Sequence, residues 1–170
     1  MEAITYRLLQ PDEAGEYRTL RLRCLKENPM AFATSFEEEQ ANEKLRFHEA
    51  IASGDPDDFV MGAFQGPSCV GICGHLREKK GKARHTGRLL QVYVHSEQQG
   101  RGVGSKLILA TVDHVFNKLG VEMVTLGVVA RNEGALSTYT RLGFEQYGLL
   151  KKYLYYEGNY YDEVLMAKYK

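Results

Sequence analysis

Two periods of apolar residues run along this chain. In Ile4-Thr5-Tyr6-Arg7-Leu8 they alternate with polar ones, the two-residue period of a strand. Pro11-Asp12 then opens a helix to about Glu27, stopped at Asn28-Pro29. Ser35 and Glu38 make a capping box, and the helix they open is predicted to reach about Ile51 before Gly54-Asp55-Pro56 ends it. Apolar runs at 59–64 and 69–76 flank the turn Gln65-Gly66-Pro67-Ser68 and predict a hairpin. The run 89–94 is nearly all apolar, as a strand covered on both faces should be. A glycine loop follows, then an amphipathic helix with Leu107, Ile108, Val112, Val115, Phe116 and Leu119 on one stripe and Gly120 as its cap. The remaining pattern predicts a strand at 121–129, a helix at 132–142 capped by Gly143, and strands at about 146–156 and 160–168 joined at Glu157-Gly158-Asn159.

The centre of the chain is thus strand, glycine loop, helix, strand, a right-handed βαβ crossover joining a parallel pair. Ligands of such units lie beyond the carboxyl ends of the strands. Here that means the loops at 95–104 and 130–134. No repeat, linker or low-complexity tract interrupts the pattern, so residues 1–170 are expected to form one domain.

Composition narrows the class. A chain of 170 residues buries about 70% of its unfolded surface and needs no metal or disulfide to hold a core. No apolar run approaches the ~18 residues of a membrane span. The start has no charged segment leading into an apolar one, so the cytosol is the expected compartment. Cys24, Cys69 and Cys73 show no metal or redox spacing. On a regular strand Cys69 and Cys73 share a face about 13 Å apart, and they are read as small buried hydrophobes. The chain balances 22 basic against 22 acidic residues, but residues 1–60 carry a net −6 and residues 61–170 a net +6, so an anionic ligand favours the second part. The basic stretch 77–88, with Lys79-Lys80-Gly81-Lys82, reads as a solvated loop and not as a nucleic-acid surface. His48, His75, His95 and His114 show no ligand spacing, so no metal is expected.

The sharpest motif is Gln99-Gly100-Arg101-Gly102-Val103-Gly104-Ser105-Lys106, between a strand and a helix. Three glycines allow a tight turn that presents successive backbone N–H groups, and the helix N-terminus adds partial positive charge, so the loop suits a phosphate. It completes neither the Walker string G-x-x-x-x-G-K-[ST] nor the dinucleotide fingerprint G-x-G-x-x-G.

Gln99-x-x-Gly102-x-Gly104 resembles the Q/R-x-x-G-x-G/A signature of the GNAT acyltransferases, related to Gcn5. Residues 128–135, with Asn132 after a strand, and Tyr139-Thr140-Arg141-Leu142-Gly143-Phe144 resemble that family's later landmarks, in order and at matching spacing. The resemblance implies a GNAT fold: a mixed sheet of about seven strands, splayed at a parallel pair and flanked by about four helices. It implies an acetyl-CoA site, with the pyrophosphate on backbone amides of Gln99, Gly100, Arg101, Gly102, Val103, Gly104 and Ser105. Amides of Val92, Tyr93 and Val94 would meet the pantetheine and the thioester oxygen, Asn132 would contact the pantetheine arm, and Tyr139 would be the phenol that protonates the leaving thiolate.

Many relatives place a basic carboxylate on the strand before the signature. Residues 89–94 hold no Asp or Glu, which leaves His85, Glu37, Glu38, Asp162 or water as the base. In this fold the acceptor pocket is walled by the first helices and the last hairpin, here 29–39, 153–156 and 160–162, an acidic and aromatic set suited to a cationic amine. The expected activity is acetyl transfer from acetyl-CoA to a primary amine, by direct attack in a ternary complex, with a small-molecule acceptor. Acetylation of a protein N-terminus or lysine, and non-catalytic acyl-CoA binding, are the alternatives. Homodimers are common in the fold, though no self-complementary patch is legible here.

Overall fold

The computed structural model describes residues 3–170; Met1 and Glu2 lie outside the described residues. Its strands are β1 (Ile4–Leu8), β2 (Phe59–Gln65), β3 (Ser68–Arg77), β4 (Thr86–Val94), β5 (Met123–Val129), β6 (Glu145–Tyr156) and β7 (Asn159–Tyr169). Five helices accompany them: α1 (Ala14–Glu27), α2 (Phe36–Ala41), α3 (His48–Ser53), α4 (Val103–Asn117) and α5 (Glu133–Arg141). One mixed sheet runs β1-β2-β3-β4-β5-β7-β6. Every neighbouring pair is antiparallel except β4 and β5, the pair joined through α4.

Each face of the sheet is covered by its own apolar layer. Leu107, Ile108, Val112, Val115 and Phe116 of α4 pack with Leu89, Val124, Leu126, Val128 and Val164 on one face. Tyr17, Leu20 and Cys24 of α1, with Leu45, Phe47 and Ile51, pack on Val60, Phe64, Ile72 and Tyr93 on the other. The stripe read from the sequence of α4 is therefore its buried side. Among the described residues no helix is long and apolar enough to cross a membrane.

Two expectations are corrected. The helix opened by the Ser35 capping box stops at Ala41, and α3 is a separate turn and a half. The cap itself forms as expected, with Glu38 N–H donating to Ser35 Oγ at 3.1 Å and Ser35 N–H to Glu38 Oε2 at 2.7 Å. The break occurs because Leu45 and Phe47 turn inward to the core, while Arg18 donates to the carbonyls that α2 leaves open, Gln40 at 3.0 Å and Asn42 at 2.7 Å. Tertiary burial overrides a helical pattern. Cys69 and Cys73 do not share a face: Cys69 packs with α1 and Cys73 with α4. A bulge shifts the register so that Ala63 pairs with Gly71 and Phe64 with Cys69, and Val70 is the extra residue that reverses the alternation. Both thiols are free and buried, as expected of small hydrophobes.

Three cations of the basic stretch are paired within the fold. Asp57 pairs with Arg77 at 2.8 Å and Arg84 at 2.6 Å, and Asp58 pairs with Lys79 at 2.9 Å.

Candidate active site

The site begins where the parallel pair comes apart. β4 and β5 are in register only at Thr86–Met123, Gly87–Val124 and Arg88–Thr125. Beyond that point β4 stays with β3 as far as Val94, and β5 stays with β7 as far as Val129. A bulge at Gln91, whose φ is +55°, lies just beyond the last residue of β4 that pairs with β5. Tyr17 Oη donates to Gln91 Oε1 at 2.8 Å and holds the bulge on the α1 face. Val92 and Val94 then turn to the α4 layer and Tyr93 to the α1 layer. Tyr93 Oη donates to Glu27 Oε2 at 2.7 Å, which ties the end of β4 to the end of α1. Burial and that bond push the Tyr93 phenol up, so it stays neutral.

The glycine loop closes one end of the gap. Gly100 and Gly102 lie at φ +74° and +76°, a region in which a side chain is strained, and Gly102 is the N-cap of α4. No side chain caps that helix and its first turn holds no acid, so its leading amides point outward unclaimed. Gln99 Nε2 donates to the Val94 carbonyl at 3.0 Å and fixes the loop against the end of β4. On the other side Asn132 is the N-cap of α5, accepting from Ala135 N–H at 3.1 Å through Oδ1.

Two cavities meet in the gap. One, of about 730 Å³, is lined by Val92, Tyr93, Val94, Gln99, Gly100, Gly102, Val103, Gly104, Ser105, Asn132 and Tyr139 among others. Every residue named from the sequence for the cofactor site is there except Arg101, which lies in the loop but is not part of the lining, and so is Tyr139, the phenol named for catalysis. The other, of about 440 Å³, lies against the α1 face between Arg88, Gly127 and Glu163 on the sheet and Phe32, Thr34 and Arg46 on the segment above. Ala31, Phe32, Val92, Asn132, Ala135 and Tyr139 line both. Tyr139 is buried, with its ring edge-on to Phe144 at 5.6 Å and no hydrogen-bond partner for its phenol among the described residues. Burial pushes that phenol above its ordinary 10.0, so it stays neutral at the junction of the two cavities.

This layout meets the comparisons with known proteins at one point. Residues 18–144 match the model of the acetyltransferase (GNAT) family. The chain belongs to the GNAT acetyltransferase family. Over 128 residues, 72% of this chain, it is 34% identical to mycothiol acetyltransferase from Rhodococcus jostii, and the match covers 41% of that protein. Over 79 residues, 46% of this chain, it is 35% identical to an L-amino acid N-acetyltransferase from Escherichia coli, covering 49% of that protein. The chain thus spans less than half the length of these relatives. Among solved structures, a GNAT acetyltransferase from Streptococcus pneumoniae superposes with a TM-score of 0.82 at 22% identity, over 99% of this chain and 100% of that one. The structure of yncA from Salmonella typhimurium with its cofactor acetyl-CoA superposes with a TM-score of 0.80 at 17% identity, over 99% of this chain and 94% of that one. The fold is the GNAT fold.

Within this GNAT frame the base candidates named from the sequence lie away from the gap. His85 is exposed before β4, at the strand end remote from the bulge, and its carbonyl accepts from Glu122 N–H at 2.7 Å. Glu37 is exposed, and Glu38 serves the capping box. Asp162 Oδ1 accepts from Lys152 N–H at 2.8 Å, pinning a bulge in β6. None of the four lines either cavity. The acidic pocket expected from Glu37, Glu38 and Glu39 does not form. The first two stay outside both cavities, and Glu39 is buried in a bidentate pair with Arg21 at 2.8 Å. Of the aromatic residues expected there, Phe32 and Tyr153 reach the second cavity.

Sequence reasoning missed Glu163. It lies on β7, opposite Val129 of β5, one residue from Asp162 and on the other face of the sheet. Its carboxylate lies over Gly127: a Cβ there would be 2.2 Å from Glu163 Oε1. Burial pushes the Glu163 carboxyl up, and Arg88 opposes the shift. The legible signal was Gly127 itself, a lone glycine inside an otherwise apolar strand, which marks a close approach.

Proposed function

We propose that this chain is an N-acetyltransferase that moves the acetyl group of acetyl-CoA to the primary amine of a small molecule, by direct attack with both substrates bound. The observation that carries the reading is the place of Tyr139 in both cavities, one beside the phosphate cradle and one beside a carboxylate.

The residues fit the co-substrate. Gly100 and Gly102 hold the left-handed turns that aim amides at a pyrophosphate, and the uncapped N-terminus of α4 favours its charge. The splay beyond Arg88 leaves β4 backbone near Val92 facing the gap, where an N–H stabilises charge developing on a thioester oxygen. Asn132 Nδ2, its Oδ1 already occupied, is free to face the pantetheine arm.

The chemistry follows from two groups with opposite tasks. Glu163, its affinity for protons raised by burial, takes the proton from the incoming ammonium. Tyr139, held neutral by burial, gives a proton to the leaving thiolate. No cysteine offers a covalent route: burial pushes Cys24, Cys69 and Cys73 each to about 12, so none is a thiolate near neutral pH. The second cavity is roofed by the segment between α1 and α3, a shape suited to a small acceptor more than to a protein chain.

The test is thiol release from acetyl-CoA against a panel of amino acids, polyamines, aminoglycosides and short peptides, with Tyr139→Phe beside the wild type. Amine-dependent release that collapses in the variant supports the reading. Acetyl-CoA binding without release on any acceptor favours a non-catalytic acyl-CoA-binding module, and release only with peptides favours a protein acetyltransferase.

A further inference from the structure

The second cavity carries more positive charge than a pocket for a simple cation should. Arg21, Lys44, Arg46 and Arg88 line it, against Glu39 and Glu163. Two of the four cations are spent within the fold: Arg21 on Glu39, and Lys44 on Glu49. Arg46 and Arg88 are both exposed, and neither has an ion-pair partner within 4.0 Å among the described residues. What remains facing the cavity is two guanidinium groups and one carboxylate. A polyamine entering there meets net repulsion.

The arrangement of Arg88 and Glu163 is more specific than the count. Leu89, Leu126, Val128 and Val164 all pack into the α4 layer, so the alternation of β4, β5 and β7 puts Arg88, Gly127 and Glu163 together on the opposite face, which floors this cavity. Arg88 and Glu163 are close enough for the guanidinium to act on the carboxyl. Yet they do not close into an ion pair, and no other side chain neutralises either one. A cation and an anion lining one cavity and left apart by the protein match a molecule carrying the opposite charges on neighbouring atoms.

We infer that the acceptor is an α-amino acid, its ammonium group directed to Glu163 and its carboxylate to Arg88, with Arg46 at the rim of the cavity adding to the pull on the carboxylate. This deepens the transferase reading and rests on it. Phe32, Leu45 and Leu90 line the same cavity beside Thr34, Asn42 and Gln91, so it offers both apolar and polar contacts to the acceptor's side chain. Arg88 then sets specificity: its planar fork suits a carboxylate bidentately, and an acceptor without the carboxylate leaves that fork unpaired.

The experiment compares L-leucine, L-methionine and L-phenylalanine with their methyl esters, which keep the amine and lose the anion, and with spermidine. Thiol release is measured on the wild type, Arg88→Gln and Arg46→Gln, and binding of the same molecules is measured by calorimetry with CoA present. The expected result is a kcat/KM for at least one amino acid that exceeds its ester by roughly 10- to 100-fold. In Arg88→Gln most of that ratio should vanish, through a raised KM for the amino acid, while the KM for acetyl-CoA stays put. Arg88→Lys should recover part of it. Esters or spermidine used as well as the amino acids, or an Arg88→Gln change that lowers both classes equally, would overturn the inference while leaving the transferase intact. If no amine releases thiol, the transferase reading fails and calorimetry decides alone. Amino-acid binding that is lost in Arg88→Gln and absent for the esters sustains the zwitterion site, and no binding overturns it.

Discussion

The carboxylate of Glu163 occupies the space a side chain at Gly127 would need: a Cβ on Gly127 would approach Oε1 to 2.2 Å. Gly127 is not in a left-handed conformation, so the backbone itself would accept alanine. Gly127→Ala should therefore fold with little change in Tm but push the carboxylate aside. We expect kcat to fall by up to about 100-fold, because a displacement near 1 Å costs that much in a positioned reaction. Unchanged steady-state kinetics would remove Glu163 from the chemistry.

Glu163→Gln should lower kcat by about 100- to 10,000-fold, the usual worth of a positioned base. The pH profile gives a second reading. Burial raises the carboxyl, so the native enzyme should lose activity as pH falls through a value above the ordinary 4.5. That acid limb should be absent in Glu163→Gln and should move to higher pH in Arg88→Gln, because Arg88 holds the carboxyl down.

Tyr139→Phe keeps the edge-on packing with Phe144 and deletes only the hydroxyl. Steady-state kinetics should show kcat lowered by about 100-fold or more, with a much smaller rise in the KM for acetyl-CoA. A normal kcat would make Tyr139 a core residue.

Gly102→Ala tests the cradle. At φ +76° an alanine costs about 1–2 kcal/mol, and the space around it is open, so strain and not collision is the effect. Acetyl-CoA binding by calorimetry should weaken by about 5- to 30-fold, with amino-acid binding little changed. Equal loss of both would point to general unfolding of the loop.

His75 links stability to pH. It is fully buried against Phe59, its Nδ1–H donates to the Asp57 carbonyl at 2.8 Å, and its Nε2 faces Gly87 with no partner among the described residues. Burial lowers its pKa from 6.5 to about 4. The unfolded chain takes up a proton at the ordinary value, while the native state resists it. The stability tied to neutral His75 is therefore complete above 6.5 and is lost as pH falls from there towards 4. Thermal unfolding followed across that range should show Tm falling, and His75→Gln, less stable overall, should show a flatter profile.

The sequence displayed the frame of the site more fully than its chemistry. The donor half is built from main chain and glycines, and both leave marks: Gly100, Gly102 and Gly104 at fixed spacing after an apolar strand, Asn132 before a helix. The acceptor half depends on which face of β7 each side chain takes. Asp162 and Glu163 are neighbours, and only the register against β5 and the bulges of β6 decide that Glu163 is the one facing the cavity. The same limit applied to Cys69 and Cys73, where one extra residue in β3 reversed the faces. The helix expected to run to Ile51 failed for a related reason. Its pattern was locally sound, and Leu45, Phe47 and Arg18 broke it from outside.

The overlap of the two cavities is narrow, and it separates what the two halves demand of inheritance. Ala31, Phe32, Val92, Asn132, Ala135 and Tyr139 serve both sides, whereas Ala33, Asn42, Arg46 and Tyr153 touch the second cavity alone. The phosphate side asks for backbone shape, which many side chains satisfy. The amine side asks for particular side chains, several of them carried on a segment that crosses over the sheet without joining it. A lineage could therefore exchange that segment and reshape the pocket around the acceptor, keeping Arg88 and Glu163 on the sheet, without rebuilding the machinery that supplies the acetyl group.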